Sequence, residues 1–341
     1  YHALRLTPHG HSVECFDSRG YDTYMIETDK IIVGVSACLL GEKVRYDGGH
    51  KHDHFITDTL GKFFAYVPVC PEVECGLTVP REPMHLAGDT NDPRLVTIHT
   101  GIDHTERMQK WSRDKLDELG DSGLSGFIFK SKSPSSGMRG VKIYKDAAQP
   151  VYSGTGLFAA AFMNRFPLIP VEDEGRLHDP GLRENFIERV FVYHRWQKLI
   201  QNSDTTRDLI EFHTRHKYLI MAHSPKHLTT LGKIVSNLRD AGPELREIYL
   251  RALMDSLRFI ATISKNTNVL HHVAGYFKKH LDHMEKRELL EIIDRYHRGL
   301  IPLIVPVTLL NHYTLKYDQP YLKRQYYLNP HPVELMLRNH V

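Results

Sequence analysis

Three short apolar runs constrain this chain more than anything else in it. Ile31-Ile32-Val33-Gly34-Val35-Ser36, Phe63-Phe64-Ala65-Tyr66-Val67-Pro68-Val69 and Gly126-Phe127-Ile128-Phe129 are rich in Val, Ile and aromatics and lack polar alternation. A strand with one wet face alternates; a strand of a parallel sheet covered on both faces does not. Each run leads into residues with chemistry: Cys38 after the first, Cys70-Pro71-Glu72 after the second, Ser133-Pro134-Ser135-Ser136-Gly137 after the third. If the strands lie side by side, these groups share the carboxyl edge of one sheet, where open α/β sheets bind ligands.

Helical patterns separate the runs. His54 to Lys62 reads as a short helix, and Asp103 with Glu106 reads as a cap before an apolar face of Met108, Trp111, Leu116 and Leu119. Residues 71–103 read as irregular apart from an extended piece at 95–98. Gly156 to Arg165 reads as a helix and 167–171 as a fourth short strand ending at Glu172-Asp173-Glu174. Strands alternating with helices imply right-handed crossovers. The expected fold is an α/β N-terminal domain with a parallel sheet in a Rossmann-like three-layer arrangement, followed by an all-α C-terminal domain. The divisions are an extension over 1–30, the α/β domain over 31–174, a connector with one helix over 175–203, and a helical domain over 204–341. Leu245, Ile248, Tyr249, Ala252, Leu253, Phe259 and Ile260 show the three-four spacing of an amphipathic helix. Further helices are expected over 205–222, 225–240, 268–281, 285–298 and 302–313.

Charge is uneven. Residues 31–170 hold 16 Lys and Arg against 16 Asp and Glu, whereas 198–341 hold 21 against 14 and 12 of the 23 His. An anionic partner such as nucleic acid is therefore expected on the C-terminal half. Within it, Lys323, Arg324, Tyr326 and Tyr327 make a basic and aromatic tail, suited to stacking on bases or to docking on the helices. No apolar run reaches the length of a membrane span and no signal-like stretch opens the sequence, so no membrane partner and a cytoplasmic location are expected. Four cysteines in 341 residues argue against a disulfide scaffold. They are metal ligands, catalytic groups or buried thiols. His2, His9, His11 and Cys15 have spacings that match no metal site.

Thiolates at a strand edge suit zinc or an iron–sulfur cluster. Cys38, Cys70 and Cys75 form one neighbourhood, although Cys70-x4-Cys75 is a loose spacing. Glu72 is placed to act as general base on water. Ser131, Ser133, Ser135 and Ser136 offer hydroxyls to a substrate, or simply form a turn. Gly48-Gly49 allows close backbone approach to a ligand or closes a turn. Arg81 lies in a Pro-flanked loop, suited to holding a carboxylate or phosphate, or solvated.

Val35-Ser36-Ala37-Cys38-Leu39-Leu40-Gly41, Arg45-Tyr46-Asp47-Gly48-Gly49, Val69-Cys70-Pro71-Glu72 and Ser133-Pro134-Ser135-Ser136-Gly137, in this order and spacing, resemble the thiouracil desulfidase (TudS) family over residues 31–173. Phe212-x3-His216-Lys217-x3-Met221 and His331-Pro332-x-Glu334-Leu335-x-Leu337-Arg338 resemble the YbgA-type domain found behind it. The two-domain arrangement is similar to tRNA 4-thiouridine desulfidases. The resemblance implies a non-redox desulfidase with a 4Fe-4S cluster on three cysteines and one open iron for the thiocarbonyl sulfur. It implies tRNA as partner, with the helical domain holding it. Glu72 and Ser133 fall on the catalytic positions, and Cys38, Cys70 and Ser136 on the cluster positions. Gly48, Gly49, Ser135 and Arg81 are expected at the substrate. Ser136 departs from the family pattern, Ser-Pro-Ser-Cys-Gly. A hydroxyl gives up its proton far less readily than a thiol of pKa about 8.5 and is a poorer iron ligand. Three accounts of Ser136 stand open: a weakened cluster, Cys75 as substitute ligand, or lost catalysis with RNA binding retained. Free thiouracil is the alternative substrate.

Overall fold

The computed structural model describes residues 30–145, 150–202, 205–237 and 243–340; residues 1–29, with His2, His9, His11 and Cys15, lie outside it. The first part of the chain runs β1 (Ile31–Ser36), β2 (Phe64–Val69), a one-turn α1 (Pro71–Glu74), β3 (Met84–Gly88), β4 (Pro93–Thr97), α2 (Thr105–Asp121) and β5 (Gly126–Phe129). β6 (Val141–Tyr144), β7 (Val151–Gly154), α3 (Leu157–Arg165) and β8 (Val171–Asp173) follow. The rest is helical: α4 (Pro180–Asn202), α5 (Thr206–His223), α6 (Pro225–Ser236), α7 (Pro243–Leu257), α8 (Ile263–Ala274), α9 (His283–His297), α10 (Ile304–Lys316) and the short α11 (Pro320–Lys323).

The three apolar runs and β8 form one parallel sheet in the order β2-β1-β5-β8. All four residues of β5 are buried, as the absence of polar alternation demands. The register pairs Ser36 with Val69, Val35 with Ile128, and Phe129 with Asp173. The strands therefore end together, and the residues after them share one edge. α4 supplies Phe186, Ile187, Val190 and Phe191 to the core beside β1 and β2, and α3 supplies Phe158 and Phe162 to the core holding Phe127 and Phe129.

Three expectations are corrected. A second sheet, ordered β4-β3-β6-β7, occupies part of the stretch read as irregular; Leu86, Leu95, Met108, Val141 and Ile143 make its core. The fourth parallel strand begins at Val171, not at residue 167: Pro170 only lends its carbonyl to the Phe127 N–H. α2 begins at Thr105; Asp103 accepts the Thr105 N–H at 2.8 Å, and no Asp-x-x-Glu box forms there. In the helical part, a C-terminal segment leaves α11, returns across α4 and places Leu335 and Leu337 in the same core cluster as Cys38 and Leu39.

Candidate functional site

Ser36 ends β1, and its hydroxyl accepts the Lys130 N–H at 2.8 Å, tying the exit of β1 to the exit of β5. A tight helical turn over Ala37–Leu40 then carries Cys38, and Gly41 closes it with φ +94°. β2 delivers Cys70, whose N–H donates to the Glu74 carboxylate at 2.7 Å and whose thiol points to the Val44 carbonyl at 3.8 Å. After β5, Ser133 folds its own loop: its hydroxyl oxygen accepts the N–H groups of Ser135 (3.3 Å) and Ser136 (3.1 Å), and its carbonyl accepts that of Gly137.

These three exits enclose one cavity of about 380 Å³. Cys38, Cys70, Glu72, Ser133, Ser135 and Ser136 all line it. Burial pushes the Cys38 thiol up to about 11, against the pull of Lys130 and with a push from Cys70. Burial also raises Cys70 and Cys75. Burial pushes Glu174 up, but hydrogen bonds from Lys130 and Ser131 outweigh it and hold the carboxyl below its ordinary value.

Glu72 is held on both oxygens. Arg81 gives Oε2 both Nε (3.0 Å) and a terminal N–H, while Ser135 donates to Oε1 at 2.8 Å. The Ser135 oxygen in turn lies 3.0 Å from the Ser133 hydroxyl. An ionised carboxylate only accepts, so the Ser135 proton points to Glu72; Ser133, already accepting two N–H groups, directs its proton to Ser135. The site thus contains a directed chain, Ser133 to Ser135 to Glu72.

Several expected residues stand elsewhere. Arg81 lines the cavity, and its guanidinium is bound to Glu72 and to the carbonyls of Val44 (3.0 Å) and Thr78 (3.2 Å), so it positions the carboxylate. Gly48 and Gly49 do not line the cavity. They close a turn, Gly48 at φ +75°, and their loop contributes Val44, Arg45 and Tyr46 instead. Cys75 does not line it either: its thiol turns to the Glu72 carbonyl at 3.3 Å and packs with the second sheet's core. In the tail, Tyr327 is fully buried and donates to Asn266 at 3.1 Å, so it presents no face to a base. The Tyr326 ring has the guanidiniums of Arg195 and Arg215 at 3.9 and 4.7 Å from its centre, Lys323 pairs with Asp318 and Arg324 with Glu211. The tail is docked. Sequence reasoning missed Lys51, which lines the cavity from the loop after Gly48-Gly49, and the Arg81–Glu72 pair. Nothing in residue spacing signals a contact between loops.

Among the described residues no cluster of three or more His, Cys, Asp or Glu forms a metal site; the Ser136 hydroxyl lines the cavity together with Cys38 and Cys70. The donors that do converge, two thiols and one hydroxyl around one cavity, fit an iron–sulfur group with one weak ligand.

Comparison with known proteins places residues 33–174 in the family described as 2-thiouracil desulfurase and residues 217–332 in one described as a protein of unknown function, DUF1722. The uncharacterized protein YbgA of Escherichia coli (strain K12) is 31% identical over 153 residues, 44% of this chain and 90% of the relative. The uncharacterized protein YbbK of Bacillus subtilis (strain 168) is 32% identical over 108 residues, 30% of this chain and 71% of the relative. A solved structure, the 4Fe-4S-dependent thiouracil desulfidase TudS, is 32% identical, covering 45% of this chain and 95% of its own, with a TM-score of 0.36.

Proposed function

Because the chain belongs to the family that joins a 2-thiouracil desulfurase domain to a YbgA-type domain, we propose that it removes sulfur from a thiolated uracil with water, acting on 4-thiouridine in tRNA. The observation that carries this reading is the single cavity that Glu72, Ser133 and the thiols of Cys38 and Cys70 all line.

The reaction is a hydrolysis: C=S and water give C=O, hydrogen sulfide anion and a proton. Glu72 is the proton acceptor for the attacking water, oriented by Arg81 and Ser135. The hydroxyls of Ser133 and Ser135 connect that carboxylate to the cavity. Cys38, Cys70 and Ser136 would hold a 4Fe-4S cluster, which when bound would supply a Lewis-acidic iron for the thiocarbonyl sulfur. Burial raises the Cys38 and Cys70 thiols, so binding a cluster through them would release protons. The excess of basic residues over 198–341, 21 against 14, supports RNA as the larger ligand; phosphate contacts make such binding weaken steeply with salt.

Ser136 favours a second reading, an RNA-binding protein without a cluster. The deciding experiment is anaerobic reconstitution, with iron and acid-labile sulfide counted per chain and sulfide release measured from 4-thiouracil, 4-thiouridine and thiolated tRNA. About four irons per chain and sulfide release are expected. No iron and no release would leave only the second reading.

A further inference from the structure

We infer that Glu74, backed by Lys115, is a positioning residue that clamps Cys70 and sets it against Glu72. The inference rests on the desulfidase reading for what Cys70 and Glu72 do, but not for the clamp itself.

β2 stands at the edge of its sheet, and its ladder with β1 ends at Val69, opposite Ser36. Cys70 therefore lies one residue beyond the ladder, where its backbone groups need partners from elsewhere. Glu74 supplies both. The Glu74 N–H donates to the Cys70 carbonyl at 2.9 Å, and the Glu74 carboxylate accepts the Cys70 N–H on Oε1 at 2.7 Å. An ionised acceptor makes the second bond the stronger of the two. The other oxygen, Oε2, lies 3.2 Å from the ammonium of Lys115, which is 11% exposed and also pairs with Glu118 at 2.9 Å. Lys115 sits on α2, whose Leu116 and Leu119 share a core with Val69, the residue before Cys70. The clamp is thus tied to the packed face of α2 as well as to its own turn.

Cys70 and Glu72 line the cavity and Glu74 does not, so Glu74 acts through Cys70. The three residues follow one another at alternate positions on one short turn, α1 and its cap. Arg81 and Ser135 orient the Glu72 carboxylate, and Glu74 orients Cys70. A thiol that swings at the strand exit changes its distance to the base, and with it the placing of anything the thiol holds. Partners that orient a metal ligand in this way typically cost ten- to a hundredfold in metal affinity or activity when removed.

The test uses the full chain with and without iron. In the iron-free protein, residue-resolved amide hydrogen exchange should show the Cys70 N–H exchanging about tenfold faster in Glu74→Ala than in the unmodified chain. Glu74→Gln keeps an oxygen acceptor and should restore most of the protection. Lys115→Met keeps the packed stem without the ammonium and should shift exchange in the same direction by less, which decides the matter where Glu74→Ala fails to fold. After anaerobic reconstitution, Glu74→Ala should lose iron to a chelator about tenfold faster. Its kcat for sulfide release from 4-thiouracil should fall about ten- to a hundredfold with KM little changed, and Glu74→Gln should recover most of both losses. Unchanged exchange in Glu74→Ala and Lys115→Met overturns the inference. So does a lower melting temperature with iron retention and kcat intact, which is what a merely structural role predicts. Faster exchange in Glu74→Ala beside an unmodified chain that takes up no iron and releases no sulfide would end the desulfidase reading and leave the clamp standing.

Discussion

Arg81 spends its donors on one carboxylate and two carbonyls, and that fixes where Glu72 aims its free lone pairs. Lysine cannot repeat this, because its ammonium lacks the planar fork. Arg81→Lys is expected to lower kcat by about ten- to a hundredfold while KM changes little, since a displaced base costs the chemical step and not binding. Steady-state sulfide release checks it; a change confined to KM would make Arg81 a substrate contact after all. At the third cluster position, Ser136→Cys is expected to raise iron per chain after reconstitution, because a thiol gives up its proton far more readily than a hydroxyl. Cys75→Ser should leave iron content unchanged, since Cys75 faces the second sheet's core. Iron analysis of the three proteins decides both points. The sequence shows these residues with unequal clarity. Cys38, Cys70, Glu72 and Ser133 are legible because each lies within four residues of a strand end, and strand ends converge by topology alone. Cys75 and Arg81 are not, because one short turn or one loop crossing decides where such a side chain points.

The Ser-rich loop is shaped by the element behind it. Gly156 precedes α3, and a Cβ there would lie 2.5 Å from the Ser135 carbonyl carbon and 2.8 Å from the Ser136 nitrogen, both backbone atoms that cannot swing aside. Gly156→Ala is expected to destabilise the protein by about 1–3 kcal/mol through overpacking. It should also push Ser135 off Glu72, lowering activity beyond what the stability loss explains. Denaturant melts and kinetics on the same variant separate the two effects; full activity in a destabilised variant would show that the loop tolerates the shift. Elements differ in legibility for a related reason. The parallel strands are hydrophobic on both faces and declare themselves locally. The second sheet does not: β3, β4, β6 and β7 have only four or five residues each and include His85, Arg94 and Lys142. They exist because Leu86 pairs with Ile143, a contact across the chain that no local pattern encodes.

At the scale of the molecule, the C-terminal segment joins the two halves through buried charge. Arg338 donates to Glu184 at 3.2 Å, to Glu188 at 2.9 Å and to the Tyr327 carbonyl at 2.6 Å, and His223 reaches the other oxygen of Glu188 at 3.0 Å. In the same half three histidines, His216 buried and His213 and His331 partly buried, have environments that disfavour their charged form. His216 turns its Nδ1–H to the Phe212 carbonyl and His331 to the Pro332 carbonyl, leaving each Nε2 without a hydrogen-bond partner. Burial pushes His213 and His331 down to about 4, and holds His216, beside Arg195 and Arg215, well below its ordinary value. The unfolded chain takes up these protons near the ordinary value of 6.5, whereas the folded chain does not until far lower pH. The stability they contribute is therefore complete above 6.5 and is lost as pH falls toward 4. Glu184 opposes them: burial, with Glu188 alongside, raises its carboxyl, so its contribution is complete below its ordinary range and is lost as pH rises. Below 6.5 the three histidines outweigh Glu184, and above it Glu184, joined at higher pH by the raised Cys38, Cys70 and Cys75 thiols, pulls the other way. The melting temperature should thus peak at about pH 7, fall gently on the alkaline side and fall steeply toward pH 5. Melts across that range check the shape. A curve that stays flat down to pH 5 would mean that these histidines are protonated in the folded protein, and that the interior joining the two halves is wetter than the packing of His216 and His331 allows.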